Sequence, residues 1–273
     1  MPLIALITVG LILVVVTLIY ANQIEPNWFE VTQTDLDIQK LPIAFDGYRI
    51  AHISDIHMDG GMTKDRLLSV AEKITEQQVD LIVITGDFVS NKVAYVADNL
   101  RDALSAFNAP DGILAVMGNH DHKSGVERVR GILAEVGIHE LTNDVTSIEC
   151  DNTRLYIAGV DDLFERKARL DLVLQKLPDD HPTILLAHEP DFADIATATG
   201  RFALQLSGHT HAGQVRLPLL GIVHTPDYGK RYRAGLYNVN NLQVYVTRGL
   251  GTVDLPIRFN CRPEITILTL HTK

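Results

Sequence analysis

One apolar run stands apart at the start of the chain: residues 3–20 carry no charge and are interrupted only by Thr8, Gly10 and Thr17. As a helix, such a run spans roughly 27 Å, close to the hydrocarbon thickness of a bilayer. Beyond it the apolar runs are short. Residues 48–54, 81–84, 112–117, 183–187 and 203–207 are apolar and rich in β-branched residues, and each ends at a glycine or a polar residue. This pattern predicts buried parallel strands. Between them the period lengthens: Leu67, Leu68, Ala71 and Ile74 predict a helix over 64–78, and Leu100, Ala103, Leu104 and Phe107 one over 99–107. Further helices are expected over 126–136, stopped by Gly137, and near 170–177 and 192–199.

Alternation with period two predicts a first strand over 30–38, antiparallel strands within 138–160, and a final strand over 264–270. Strands alternating with helices, and no linker or repeat, predict an α/β chain of the α+β four-layer kind. Two packed mixed β-sheets would be flanked by helices, with a site at the C-terminal ends of the strands. The expected organisation is a transmembrane anchor at 3–21, a connecting segment at 22–47 and one folded domain at 48–273. An uncleaved anchor is preferred over a signal peptide, because Met1-Pro2 supplies no basic n-region and Ile19 stands where cleavage after Ala21 needs a small residue. Trp28 and Phe29 suit the headgroup zone or the start of the core. No Lys or Arg precedes Lys40, so the side of the membrane is not legible.

Composition narrows the function. The chain has 273 residues, is 46% hydrophobic and carries a formal charge of −10, which argues against a nucleic-acid surface. Cys150 and Cys261 lie far apart with no Cys-x-x-Cys spacing, so two inert thiols are favoured over a disulfide. No protein partner is evident.

The chemistry lies at the strand ends. The five runs lead into Asp55-Ile56-His57, Gly86-Asp87, Gly118-Asn119-His120-Asp121, His188-Glu189-Pro190 and Gly208-His209-Thr210-His211. A lone His or Asp at a strand end is more often a cap or turn residue. Five in order on one edge of a sheet fold read as a metal site, with hard oxygen and borderline nitrogen donors. Residues two apart in an extended segment face the same way, so Asp55 and His57 can converge on one ion. His209 and His211 can share an ion or split between two, and Asp87 can bridge. His52 is expected to be a structural residue inside a strand. His122, His139, His181, His224 and His271 read as surface or turn residues; Asp161 and Asp162 read as turn residues, with polar cleft residues as the alternative.

The ordered set Asp-x-His, Gly-Asp, Gly-Asn-His-Asp, His and Gly-His-x-His resembles the calcineurin-like metallophosphoesterase family. The segments 229–236 and 260–264 resemble, less specifically, its membrane-associated bacterial phosphodiesterase branch. The resemblance implies two divalent metal ions, Mn, Fe or Zn with Mn favoured. Asp55, His57, Asp87 and His211 would hold one ion; Asp87, Asn119, His188 and His209 would hold the other. His120 matches the family histidine that is not a ligand but meets the scissile phosphate and assists the leaving group, with Asp121 supporting the loop. The implied reaction is metal-assisted hydrolysis of a phosphodiester or pyrophosphate. After Asp87 the chain reads Phe88-Val89-Ser90-Asn91, without the Asp-Arg-Gly of the protein Ser/Thr phosphatase branch, so that reading is set aside.

The anchor and the apolar Leu217-Pro218-Leu219-Leu220 favour a lipid-linked small-molecule substrate at the cell membrane. Relatives that hydrolyse UDP-2,3-diacylglucosamine in lipid A synthesis supply a specific candidate. Lys230, Arg231 and Arg233 would bind a further phosphate or uridine, or form a solvated loop. The alternatives are a phosphodiesterase or phosphatase of soluble nucleotides or sugar phosphates, and a non-catalytic membrane-tethered scaffold.

Overall fold

The computed structural model describes residues 2–179 and 181–273. The chain begins with α1 (Pro2–Ile19), a helix apolar on every side and exposed along its length. It widens into a π-turn at Tyr20–Ile24 and tightens into a 3₁₀ turn at Glu25–Asn27. Ala21, Glu25 and Pro26 are already buried against the domain, so the exposed apolar helix ends near Ile19.

Then follow β1 (Glu30–Ile38), β2 (Tyr48–Ile53), α2 (Lys64–Thr75), β3 (Leu81–Thr85), α3 (Val93–Leu104), β4 (Ile113–Val116), α4 (Asn119–Glu135) and β5 (His139–Glu140). The second half holds β6 (Asp144–Cys150), β7 (Thr153–Gly159), α5 (Leu170–Lys176), β8 (Thr183–Leu186), α6 (Ala193–Thr197) and β9 (Leu204–Ser207). The chain closes with β10 (Arg216–Leu217), β11 (Gly221–Ile222), β12 (Gly235–Val239), β13 (Leu242–Val246) and β14 (Glu264–Thr272).

Two six-stranded mixed sheets pack face to face, in the orders β1-β14-β2-β3-β4-β5 and β12-β13-β9-β8-β7-β6. Within the first, β2, β3 and β4 are parallel; within the second, β7, β8, β9 and β13 are parallel. Alternation in β2 sends Ile50 between the sheets and Ala51 and Ile53 toward the outer helices. The layer between the sheets is built from residues such as Leu81, Val83, Ile157, Leu186 and Leu268, each almost wholly buried. Helices α2, α3 and α4 cover one outer face, and α5 and α6 the other, which gives the four layers expected.

The 30–38 stretch pairs parallel with the C-terminal strand, and β14 in turn runs antiparallel to β2. The two ends of the domain are therefore laced into one sheet. Two local expectations are revised. His139–Glu140 pairs parallel with β4, because α4 acts as a crossover, and only β6 and β7 form an antiparallel pair in this stretch. Helix α4 also begins seven residues earlier than its apolar period suggests. Gly125 (φ 111°) breaks it, so the first turn has its own orientation and brings Asn119 and His120 to the strand ends.

Candidate metal centre

All five polar motifs meet on one edge, where β2, β3, β4, β8 and β9 terminate. Strand pairing holds the sheet in register, and the loops beyond are tied by backbone hydrogen bonds. Asp55 N–H donates to Gly86 O and His57 N–H to Asp87 O, both at 3.0 Å, while Gly251 N–H donates to Asp55 O at 2.7 Å.

The expected strand-like alternation of Asp55 and His57 is corrected by the backbone. Both lie past the end of β2 with positive φ (53° and 48°), as do Asp87 (57°), His209 (70°) and His211 (47°). Left-handed kinks, not pleating, aim these side chains inward. Such conformations are costly for non-glycine residues and collect at functional sites.

Two buried groups result: Asp55, His57 and His211, and Asp87, His188 and His209. Within each, the possible ligand atoms all lie within 4.8 Å of one another. His209 and His211 thus fall to different groups. Asp87 lies between the two, its Oδ2 at 3.1 Å from His188 Nε2 and 3.6 Å from His57 Nε2.

The hydrogen bonds set which nitrogens are free. His188 Nδ1 lies 2.6 Å from Thr85 O and His209 Nε2 lies 2.8 Å from Asp227 O, so these nitrogens carry the hydrogens. His188 Nε2 and His209 Nδ1 then face each other at 3.2 Å. His57 Nε2 and His211 Nε2 lie 3.1 Å apart. A cation or a proton between facing nitrogens removes the repulsion of their lone pairs. Asn119 Oδ1, buried beside Asp87, has no hydrogen-bond partner. Converging lone pairs, an orphaned amide oxygen and two carboxylates fit divalent cations of the Mn, Fe or Zn type.

The electrostatics agree. Burial pushes the His57 imidazole down to about 3 and also lowers His209 and His211, keeping them neutral and able to donate lone pairs. Burial pushes the Asp55 carboxyl up to about 6. Burial also raises Asp87, but the charge and hydrogen bond of His188 overcome it and hold this carboxyl well below its ordinary range. At His188 burial is outweighed by Asp87, and the imidazole lies well above its ordinary value. Positive charge is thus favoured beside Asp87, where a proton stands in for a metal ion.

His120 points its ring edge-on to His57, with centroids 5.0 Å apart. Its Nδ1–H donates to Ser90 O at 2.9 Å, and its backbone N–H to Asp87 Oδ1 at 2.9 Å, which leaves Nε2 for whatever enters. Asp121, wholly buried, accepts the N–H groups of Asp87, Val89 and Gly118 (2.8, 3.2 and 3.0 Å) and so binds the β3 and β4 loops together. His120, Asp87, Asn119 and His209 open on a cavity of about 520 Å³ whose outer wall is apolar, with Leu217, Val223, Leu255 and Ile257. A second, more polar cavity of about 440 Å³ adjoins the far side of His120, along Asp59, Ser90 and Thr252.

Several residues to which the sequence assigned no role still shape the site. Ser90 Oγ meets His57 Nδ1 at 2.8 Å. Glu189, buried, accepts the N–H groups of Leu163 and Phe164, which sets Phe164 at the cavity beside His209. The surface reading of His122 is corrected, whereas Asp161 and Asp162 stand at a turn and are also buried, Asp162 Oδ1 accepting the Glu165 N–H. His122 Nε2 lies 2.6 Å from Asp161 Oδ1, both side chains being nearly buried. Asp162 is wholly buried, and burial with the Glu189 charge pushes it up to about 9. These partners belong to distant elements, so no local spacing announced them. His52 is structural as expected, buried with Nε2 at 2.9 Å from Thr85 Oγ1. Both cysteines are free. Lys230 and Arg231 pair with Asp227 and Asp194, and neither they nor Arg233 line the cavity. Trp28 is half exposed under the Arg262 guanidinium, while Phe29 is in the core.

Residues 48–213 match the calcineurin-like phosphoesterase family. Over 256 residues the chain is 38% identical to the uncharacterized metallophosphoesterase YkuE of Bacillus subtilis, covering 93% of this chain and 89% of that protein. It is 32% identical to the phosphodiesterase YaeI of Escherichia coli over 254 residues, covering 92% of each. It is also 31% identical to a transmembrane protein with a metallophosphoesterase domain from Danio rerio, covering 96% of this chain and 62% of that protein.

Proposed function

The chain belongs to the calcineurin-like phosphoesterase family of metal-dependent phosphoric ester hydrolases, and from that premise we propose that it cleaves a phosphodiester or pyrophosphate bond in a membrane-linked substrate. The reading rests on the two buried His/Asp groups whose free lone pairs converge beside one cavity. In it, Asp55, His57, Asp87 and His211 hold one divalent ion, and Asp87, Asn119, His188 and His209 hold the second. When bound, the ion pair acidifies a water and neutralises charge on the phosphoryl oxygens. The chain supplies the rest. Thr85 O and Asp227 O orient the imidazoles of His188 and His209, Ser90 Oγ orients that of His57, and Asp121 keeps the Asp87 and Asn119 loops together. His120, locked by Ser90 O, presents Nε2 to the departing oxygen and stabilises or protonates it.

Support for a lipid-linked substrate comes from the apolar wall of the cavity and from α1, which is long and apolar enough to cross a bilayer. UDP-2,3-diacylglucosamine has the matching chemistry, a pyrophosphate and two acyl chains. The test uses the full chain in detergent, since Ala21 O and Glu25 are bonded into the domain and truncation there would disturb it. Metal-stripped protein reloaded with Mn, Fe or Zn is assayed on bis-p-nitrophenyl phosphate, UDP-2,3-diacylglucosamine and p-nitrophenyl phosphate, with D87A as blank. The expected result is metal-dependent diester cleavage, abolished in D87A, with preference for the lipid nucleotide. Turnover of small diesters alone would move the assignment to soluble substrates. No metal-dependent turnover of any would overturn the hydrolase reading.

A further inference from the structure

We infer that the β10–β11 hairpin, with Leu255 beside it, is a second membrane contact that seats the mouth of the active-site cavity on the lipid surface. The inference rests on reading α1 as a bilayer anchor.

The hairpin presents Leu219 fully exposed and Leu220 and Val223 largely so, with Leu255 equally exposed on the neighbouring loop. Water-facing turns ordinarily carry polar residues or glycine, yet here Leu219 occupies the tip with φ at 68°. Clustered exposed aliphatic groups on a folded domain mark a contact surface.

The position of this cluster names its partner. Phe259 packs edge-on against Tyr20 at the foot of α1, with ring centroids 6.3 Å apart. The backbone of Phe259 accepts the N–H of Arg216, the first residue of β10, at 2.8 Å, and donates to Gln214 O at 3.1 Å. Arg258 N–H donates to Ala21 O at 2.9 Å, Asn22 Nδ2 to Pro256 O at 2.8 Å, and Cys261 N–H to Glu25 Oε1. Anchor foot, 255–261 loop and the base of the hairpin are therefore one bonded unit, which roots the hairpin on the side of the domain where the anchor leaves it. Nearby, Arg262 lies over the half-exposed Trp28, a pairing suited to the headgroup zone.

Leu217 and Val223 of the hairpin segment, and Leu255, also line the cavity. With the tip immersed, the apolar wall of the cavity continues into the acyl region. A lipid-linked phosphoester then reaches the metal ligands without its chains crossing water, and a short interfacial insertion of this kind suffices.

The test places an indole at the tip. Full-length W28F/L219W protein is reconstituted in vesicles of mixed zwitterionic and anionic phospholipids with dibrominated acyl chains, and flotation is measured alongside fluorescence. The expected result is flotation with a blue-shifted emission quenched by the brominated lipid. Flotation with an emission quenched by aqueous acrylamide but not by lipid would overturn the docking surface and leave the anchor reading intact. An indole shielded from both quenchers would assign the tip to a protein or a second copy of the chain, also overturning the proposal. Protein that does not float would refute the anchor and the docking surface together.

Discussion

Five proposed ligands stand on left-handed backbone, at a cost of about 1–3 kcal/mol each, and hold there because their N–H and C=O groups are bonded across neighbouring loops. Their candidacy was legible because Asp and His at successive strand ends have few structural explanations together. Their backbone was not, since the bonds that enforce it come from residues far away in sequence. The same holds for Asp161, whose partner His122 lies 39 positions away. Burial raises this carboxyl, but the His122 hydrogen bond and the Arg130 charge overcome it and hold it below the ordinary range. A depressed carboxylate contributes stability that is present above its unfolded pKa and is lost as pH falls through the folded value. D161N should therefore cost about 1–3 kcal/mol at neutral pH by removing the charge that strengthens the His122 hydrogen bond and faces Arg130. The deficit should shrink as pH drops below about 4. Urea midpoints of both proteins across this range check it.

At the scale of elements, every loop that carries a candidate site residue starts where a strand stops, and small residues let the loops close on one another. A Cβ on Gly118 would meet Oδ1, Cγ and the backbone nitrogen of Asp87, and one on Gly208 would meet Ser54 Oγ and Asp55 Oδ2. The Gly-Asn-His-Asp and Gly-His-x-His motifs thus need glycine for space as much as for turning. G118A should cost about 1–3 kcal/mol in stability by overpacking. It should lower kcat/KM on bis-p-nitrophenyl phosphate by about 10²-fold, because Asp87 moves off its position between the two groups. Activity unchanged at equal stability would show that Asp87 tolerates displacement. Helix α4 gives the converse lesson. Its apolar period begins only after Gly125, so the polar first turn that carries Asn119 and His120 was invisible to periodicity.

Across the whole molecule, the site joins both halves of the chain. Asp55, His57, Asp87 and Asn119 come from the first sheet, and His188, His209 and His211 from the second, so ions held between them would tie the sheets together. Saturating metal at about 100 times Kd stabilises by about 2.7 kcal/mol. At roughly 2–4 °C per kcal/mol for a domain of this size, removing the metal should lower Tm by about 5–10 °C. Calorimetry with and without chelator reads this, and D87A should show a much smaller difference. An identical Tm in chelated and reloaded wild type would mean that the two groups do not hold ions in the folded state.

By itself the sequence determined the strand-and-helix alternation, the apolar N-terminal helix and the chemical character of the strand ends. These depend on local period and residue type, which a one-dimensional string carries. Tertiary structure alone decided that Glu30–Ile38 joins the C-terminal strand, that His209 and His211 serve different groups, and that Lys230 and Arg231 are tied to acids. It also decided that the foot of α1, the 255–261 loop and the start of β10 are bonded together, and that the loop and the hairpin segment line the cavity. Each of these is a pairing between segments remote in the chain. Such a pairing follows from which surfaces are left uncovered once every nearer element has packed.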